Sequence, residues 1–167
     1  SMWYDVDFPQ VIEERKTYFR EDNHYRMIGT DVTDPELLLQ IPSAETALIV
    51  MEGISMYLNP EDLSALLHKL AGYFGQVHIL MDCYTEFAAK MSRYKNPVND
   101  VGVTQVYGMD DPSALAERAG IAYCKESEMT PQYLILYLPK RDQRIFRTLY
   151  AGSMSKRLYR LYEFQSK

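Results

Sequence analysis

The chain is poor in the residues that announce a mechanism directly. Two cysteines in 167 residues make no disulfide framework, and their neighbours look like strand interior, so both thiols are expected to be reduced and packed. Three scattered histidines, His24, His68 and His78, read as structural or solvated, and neither a metal-ligand spacing nor a Ser-His-Asp pattern is present. The eight glycines include no G-x-G, which removes the turn that receives the pyrophosphate of a nicotinamide cofactor. No apolar run approaches the roughly 20 residues of a membrane span, and Ser1-Met2, read as a tag remnant before a start methionine, opens no signal-peptide layout. A cytoplasmic protein without a membrane partner is expected. Basic residues do not gather either. Lys156, Arg157 and Arg160 are separated by Leu158 and Tyr159 and read as solvated cations on an alternating edge strand, and the formal charge is −5 with a pI near 5.2. Phosphate binding needs a concentrated basic face, so nucleic acid is excluded as a partner.

What the chain has is a substantial apolar content, 47%, in a length that fits a single domain, residues 1–167. Such a domain buries roughly two thirds of the surface its unfolded chain exposes. The most organised stretch runs from Thr46 to Phe74. Ala47 to Met51 form an uninterrupted apolar run, as in a parallel strand covered on both faces, and Glu52-Gly53 follows at its carboxyl end. Asn59 is placed to cap a helix, Pro60 to occupy its first position, and Glu61 and Asp62 to meet the positive end of its dipole. Leu63, Leu66, Leu67, Leu70, Ala71 and Phe74 then recur at helical spacing.

The same arrangement of strand, acid and helix repeats along the chain. Met2 to Val6 predicts a strand ending at Asp7, followed by a helix over Gln10 to Arg20 with Val11, Ile12, Tyr18 and Phe19 on one side. Tyr25 to Gly29 predicts the next strand, with Asp31 after it, and Gln76 to Met81 another, with Asp82 at its carboxyl end. A helix is expected over Tyr84 to Asn96, then a loop over Val98 to Tyr107 that covers a site. Asp111-Pro112 opens a helix that stops at Gly120, and Ile121 to Lys125 predicts a strand. Gln132 to Leu138 fits helix or strand, Arg141 to Tyr150 a helix, and Arg157 to Phe164 an alternating final strand antiparallel to its neighbour. Repeated units of this kind imply right-handed crossovers and a mainly parallel α/β sheet.

Ligands of open α/β sheets bind at the carboxyl ends of strands. Asp7, Asp31, Glu52 and Asp82 are therefore expected to converge on one rim, as a row of acids without basic partners. Such a row suits a ligand with hydroxyls, an amine or a positive charge, and S-adenosylmethionine carries all three. Tyr57 and Tyr107 are candidates for an acceptor pocket, although a buried ring with a wet hydroxyl also explains them.

Particular motifs narrow the class. Asp5-Val6-Asp7-Phe8-Pro9-Gln10-Val11-Ile12 resembles the E-x-D-x-P-x-V segment of the leucine carboxyl methyltransferase family, which includes the O-methyltransferases of polyketide biosynthesis. Glu52-Gly53-Ile54-Ser55-Met56-Tyr57-Leu58-Asn59-Pro60 is similar to that family's E-G-x-x-M-Y-L-x-P, and Tyr107-Gly108-Met109-Asp110-Asp111-Pro112 to its late segment. The resemblance implies a Rossmann-like methyltransferase sheet, mainly parallel with an antiparallel C-terminal strand. It also implies S-adenosylmethionine held by Asp7 at the ribose, Asp31 and Val32 near the adenine, and Glu52 with Gly53 near the methionine end. The reaction implied is methyl transfer to a carboxyl or hydroxyl oxygen of a small molecule, with no catalytic residue and no metal assigned. The family's first strand and Gly-rich loop have no counterpart, because residues 1 to 6 already match its second strand. That departure leaves open whether this chain alone binds the cofactor. A truncated form, a remnant serving as an interaction module, and a homo-oligomer that compensates for the missing strand all fit it.

Overall fold

The computed structural model describes residues 1–92, 105–128, 130–152, 155 and 157–167. They form two compact units, Ser1–Ala44 and Glu45–Lys167.

In the first unit, β1 (Trp3–Asp7) pairs in parallel with β2 (Tyr25–Gly29), in a register that sets Asp7 against Gly29. Between them α1 (Pro9–Arg15) opens with proline and buries Ile12. It is shorter than the spacing predicts: the helix stops at Arg15, and Tyr18 and Phe19, 76% and 58% exposed, lie in the following turn. A short 3-10 turn, Leu37–Gln40, buries Leu37 and Leu38.

The second unit is built on a four-stranded sheet in the order β3-β4-β6-β5. Here β3 is Thr46–Met51, β4 Gln76–Tyr84, β5 Ala122–Ser127 and β6 Tyr159–Gln165. β3 and β4 are parallel, and β6 runs antiparallel to both β4 and β5, so β3, β4 and β5 share one direction. This is the mainly parallel α/β sheet with an antiparallel C-terminal strand that the sequence predicts. β6, however, is an interior strand and not the expected edge. Arg160 pairs with Glu126 across the β5–β6 ladder at 3.1 Å and Arg157 lies over the Phe87 ring, while Lys156 falls outside the described residues.

Helix α2 (Pro60–Tyr73) forms as its residues dictate. The Asn59 side chain accepts the Asp62 N–H at 2.8 Å, and Leu63, Leu66, Leu67 and Leu70 are buried. It packs on β4 and on α4 (Pro112–Ala119), which Asp111 caps and Gly120 terminates in the left-handed conformation at φ +72°. The face of the sheet formed by Val77, Ile79, Met81, Cys83, Tyr162 and Phe164 is thereby the core, with each of these at most 2% exposed. The opposite face differs from expectation. Leu48 and Val50 are 61% and 47% exposed, so β3 is covered on one side only. Further helices among the described residues include α3 (Glu86–Ser92), α5 (Gln132–Ile135) and α6 (Lys140–Leu149). The ambiguous run beginning at Gln132 thus opens as a short helix. The end of the predicted Tyr84–Asn96 helix, and the covering loop up to residue 104, lie outside the described residues. Among the described residues no helix is long and apolar enough to cross a membrane.

Both cysteines are free. Cys83 is packed as expected, but Cys124, left out of the β5–β6 ladder at the register shift between Tyr123 and Lys125, is exposed. Burial pushes the Cys83 thiol up to about 12. A thiol reagent near neutral pH is expected to modify Cys124 in the folded chain and to reach Cys83 only after denaturation, which mass spectrometry of labelled peptides checks. Asn59→Ala is expected to cost about 1 kcal/mol in a urea titration, the usual loss for a removed N-cap.

Candidate functional site

β3 delivers Glu52 and Gly53 just past its carboxyl end. Glu52 is exposed and makes no hydrogen bond or ion pair among the described residues. Gly53 adopts φ +68°, a conformation that side-chain-bearing residues rarely take, and a Cβ there would meet nothing within 4 Å. Glycine is therefore required by the backbone angle, not by lack of space. The chain then makes a 3-10 turn, Ser55–Tyr57, that packs on β4 and buries Ser55 and Met56.

Asp82 is not the rim acid its position after an apolar run suggests. β4 continues through it to Tyr84, because β6 keeps pairing as far as Tyr84 and Tyr159, and the Asp82 side chain is inside the unit at 4% exposure. Its two carboxylate oxygens both accept the Gly53 N–H at 2.9 Å, and the Tyr159 hydroxyl donates to one of them. The Ser55 hydroxyl donates to the Asp82 carbonyl oxygen. Burial first, then the hydrogen bond to Asp82 and its charge, push the Tyr159 phenol well up, with Tyr84 and the Glu52 charge adding to the effect. Burial, with Tyr84 and Asp82 nearby, also raises the Tyr57 phenol.

A third segment closes on the same region. The Tyr107 N–H donates to the Met56 carbonyl at 2.8 Å, the Met109 N–H to the Tyr84 carbonyl at 2.8 Å, and Val106 packs with Met56, Ala89, Tyr84 and Tyr159. Gly108 permits this approach, since a Cβ at that position would overlap the Thr85 carbonyl and the Glu86 backbone. Glu52, Gly53, Tyr57 and Tyr107 thus gather in the second unit around a phenol and a carboxylate, Tyr159 and Asp82, that have their own structural partners. Sequence reasoning missed Ser55 and Tyr159. Tyr159 is one member of an alternating strand, and no spacing marks it as the partner of a residue 77 positions away.

Asp7, Asp31 and Val32 belong to the first unit. Asp7 ends β1, where its carboxylate accepts the Phe8 N–H at 2.8 Å and pairs with Arg15 at 3.2 Å. Arg15 also pairs with Asp5 at 2.5 Å. The expectation of acids without basic partners is therefore overturned for Asp7, because α1 turns Arg15 back onto the strand that precedes it. One oxygen of Asp31 accepts the Thr33 N–H and hydroxyl at 2.8 and 2.7 Å, which shapes the turn after β2. Val32 beside it is half-buried. Among the described residues no group of acids, histidines and cysteines is arranged to hold a metal ion.

The topology of the second unit, parallel strands with one antiparallel strand inserted before the edge, defines a Rossmann-like methyltransferase fold. Solved structures agree. A Thermobifida fusca YX protein assigned to the methyltransferases superimposes with a TM-score of 0.65 at 14% identity, over 100% of this chain and 64% of that one. Magnesium protoporphyrin IX methyltransferase (ChlM) from Synechocystis PCC 6803, solved with bound SAH, gives 0.55 at 9% identity, over 100% and 64%. No family model matches the chain. Curated relatives are informative. The tetracenomycin polyketide synthesis O-methyltransferase TcmP of Streptomyces glaucescens is 31% identical over 116 residues, 70% of this chain and 43% of that protein. The S-adenosyl-L-methionine-dependent methyltransferase dpfgK of Gibberella zeae is 23% identical, over 68% of this chain and 42% of its own length. Over the stretch they cover, these findings make the chain similar to S-adenosylmethionine-dependent methyltransferases, an O-methyltransferase of polyketide synthesis among them. The chain spans about two fifths of the length of these relatives.

The close approach at Gly108 is open to test. Gly108→Ala is expected to destabilise the chain by about 1–3 kcal/mol, the cost of overpacking against backbone that cannot yield. Denaturant unfolding checks the loss, and an unchanged midpoint would remove the segment around Tyr107 from the site.

Proposed function

We propose that the chain forms all or part of a single S-adenosylmethionine-dependent O-methyltransferase domain that transfers a methyl group to a carboxyl or hydroxyl oxygen of a small molecule. The observation that carries this reading is Glu52. It is an exposed carboxylate without a hydrogen bond or ion pair among the described residues, at the carboxyl end of a parallel strand, on a turn held from below by a buried acid. Glu52 keeps its acceptor oxygens for an ammonium or hydroxyl group of the cofactor. Family likeness assigns Asp7 to the ribose, Asp31 and Val32 to the adenine, and Glu52 with Gly53 to the methionine end. Tyr57 and Tyr107 are assigned to the acceptor.

Bound cofactor supplies an activated methyl group. What remains for the protein is to bind and orient the two reactants, because positioning is the main requirement of an in-line displacement. A carboxylate acceptor needs no general base, whereas an alcohol or phenol gains from one. In the second unit, His68 contacts the Ala119 carbonyl and His78 lies in β4, so neither is placed at the Glu52 turn. Homo-oligomerisation belongs to the same reading, since β3 pairs only with β4 among the described residues and leaves Leu48 and Val50 uncovered.

Isothermal titration with S-adenosylhomocysteine tests the core of the proposal. Binding by the full chain is expected, and Glu52→Gln should weaken it by roughly tenfold to a hundredfold, the range for a hydrogen bond to a charged group. No heat at millimolar ligand, or equal affinity in the variant, would sink the assignment of Glu52.

A further inference from the structure

Asp82 is a carboxylate at 4% exposure, and among the described residues no cation pairs with it. A buried acid of this kind persists only where donors satisfy it. Here the donors come from two places: the Gly53 N–H from the turn after β3, and the Tyr159 hydroxyl from β6. The Ser55 hydroxyl adds a bond to the Asp82 backbone, so the turn is tied to β4 at two points on either side of Ile54. The tie matters because of what it holds. Gly53 at φ +68° has many conformations open to it, and its neighbour Glu52 projects into solvent with no bond of its own. Left to itself, this turn would wander.

We infer that Asp82 and Tyr159 are a positioning pair: Tyr159 fixes the Asp82 carboxylate, the carboxylate fixes the Gly53 N–H, and Glu52 is thereby presented to its ligand in one orientation. The inference rests on the proposed role of Glu52 but concerns two residues that the family motifs do not include. Tyr159 lies on the same face of the sheet as Asp82 because β6 sets Tyr159 opposite Tyr84, two positions along β4. The raised Tyr159 phenol keeps its proton and so remains a donor. A fixed dipole of this sort contributes through preorganisation: the ordering cost is met before the ligand arrives.

The test uses the full chain, with Tyr159→Phe and Asp82→Asn as variants and Phe164→Leu as the control. Phe164 is buried on the opposite face of the same strand, so the control loses stability without touching the pair. Native-state exchange of the Gly53 amide, followed by NMR, is expected to accelerate about tenfold in both variants, the scale of one hydrogen bond, and to stay unchanged in the control once global stability is matched. S-adenosylhomocysteine affinity should fall about tenfold in Tyr159→Phe, and adding Tyr159→Phe to Glu52→Gln should weaken binding no further, because both act through one carboxylate. Gly53 exchange that follows the control, or additive losses in the double variant, overturns the inference. If the unmodified chain binds no S-adenosylhomocysteine, the methyltransferase reading fails by itself, and the exchange data still decide whether the pair holds the turn.

Discussion

A carboxylate removed from water has to be met by donors, and much of the second unit is arranged so that Asp82 is. Its acceptance of the Gly53 N–H joins the end of β3 to the interior of β4, and its acceptance of the Tyr159 hydroxyl joins β4 to β6. Other features of the region depend on that junction. The 3-10 turn at Ser55–Tyr57 lies where it does because Ser55 and Gly53 are both anchored to Asp82, and the Tyr107 segment then has a fixed Met56 carbonyl to bind. The Glu52 side chain above it makes no hydrogen bond or ion pair among the described residues. Rigid backbone beneath one free acid is the arrangement expected of a binding loop carried on a stable sheet.

Much of this was legible in the sequence. α2 is set by signals that act locally, namely a capping Asn59, Pro60, two early acids and leucines at helical spacing, and it forms as those signals require. β2 and β3, each in its own sheet, follow the predicted strand stretches to within one residue. What was not legible depends on partners remote in the chain. Asp82 reads as the residue that ends a strand, because acids are poor strand formers, yet β6 supplies both the ladder and the hydroxyl that keep it inside one. Arg157 and Arg160 suggest an edge strand, and only the sheet order shows that β6 is interior. Tyr18 and Phe19 extend the apolar period of α1, but among the described residues they find no surface to bury against and stay exposed. The pairing of Asp7 with Arg15 lay closer to reach, since the basic residue comes one short helix after the acid.

The site divides along similar lines. Glu52, Gly53, Tyr57 and Tyr107 share a motif-bearing neighbourhood that the family resemblance marks, and the structure brings all of them to the turns around Asp82. The residues that hold the neighbourhood in shape are ordinary in sequence. Ser55, Asp82 and Tyr159 have no unusual spacing, and their roles come from register and burial. The supporting hydrogen bonds have to be read from coordinates.

The insertion of β6 between β4 and β5 also bears on how the chain assembles. β4 and β5 have no ladder in common, and both wait for a strand that follows them in sequence. During synthesis β3 and β4 can zip together early, since only α2 separates them, whereas β5 emerges with nothing to join. Contacts between Tyr84 and Tyr159 close a long loop, which makes them late and slow relative to the local helices. A nascent chain therefore holds most of its core-forming residues before Tyr159 is present to fix the Asp82 carboxylate beneath the Glu52 turn.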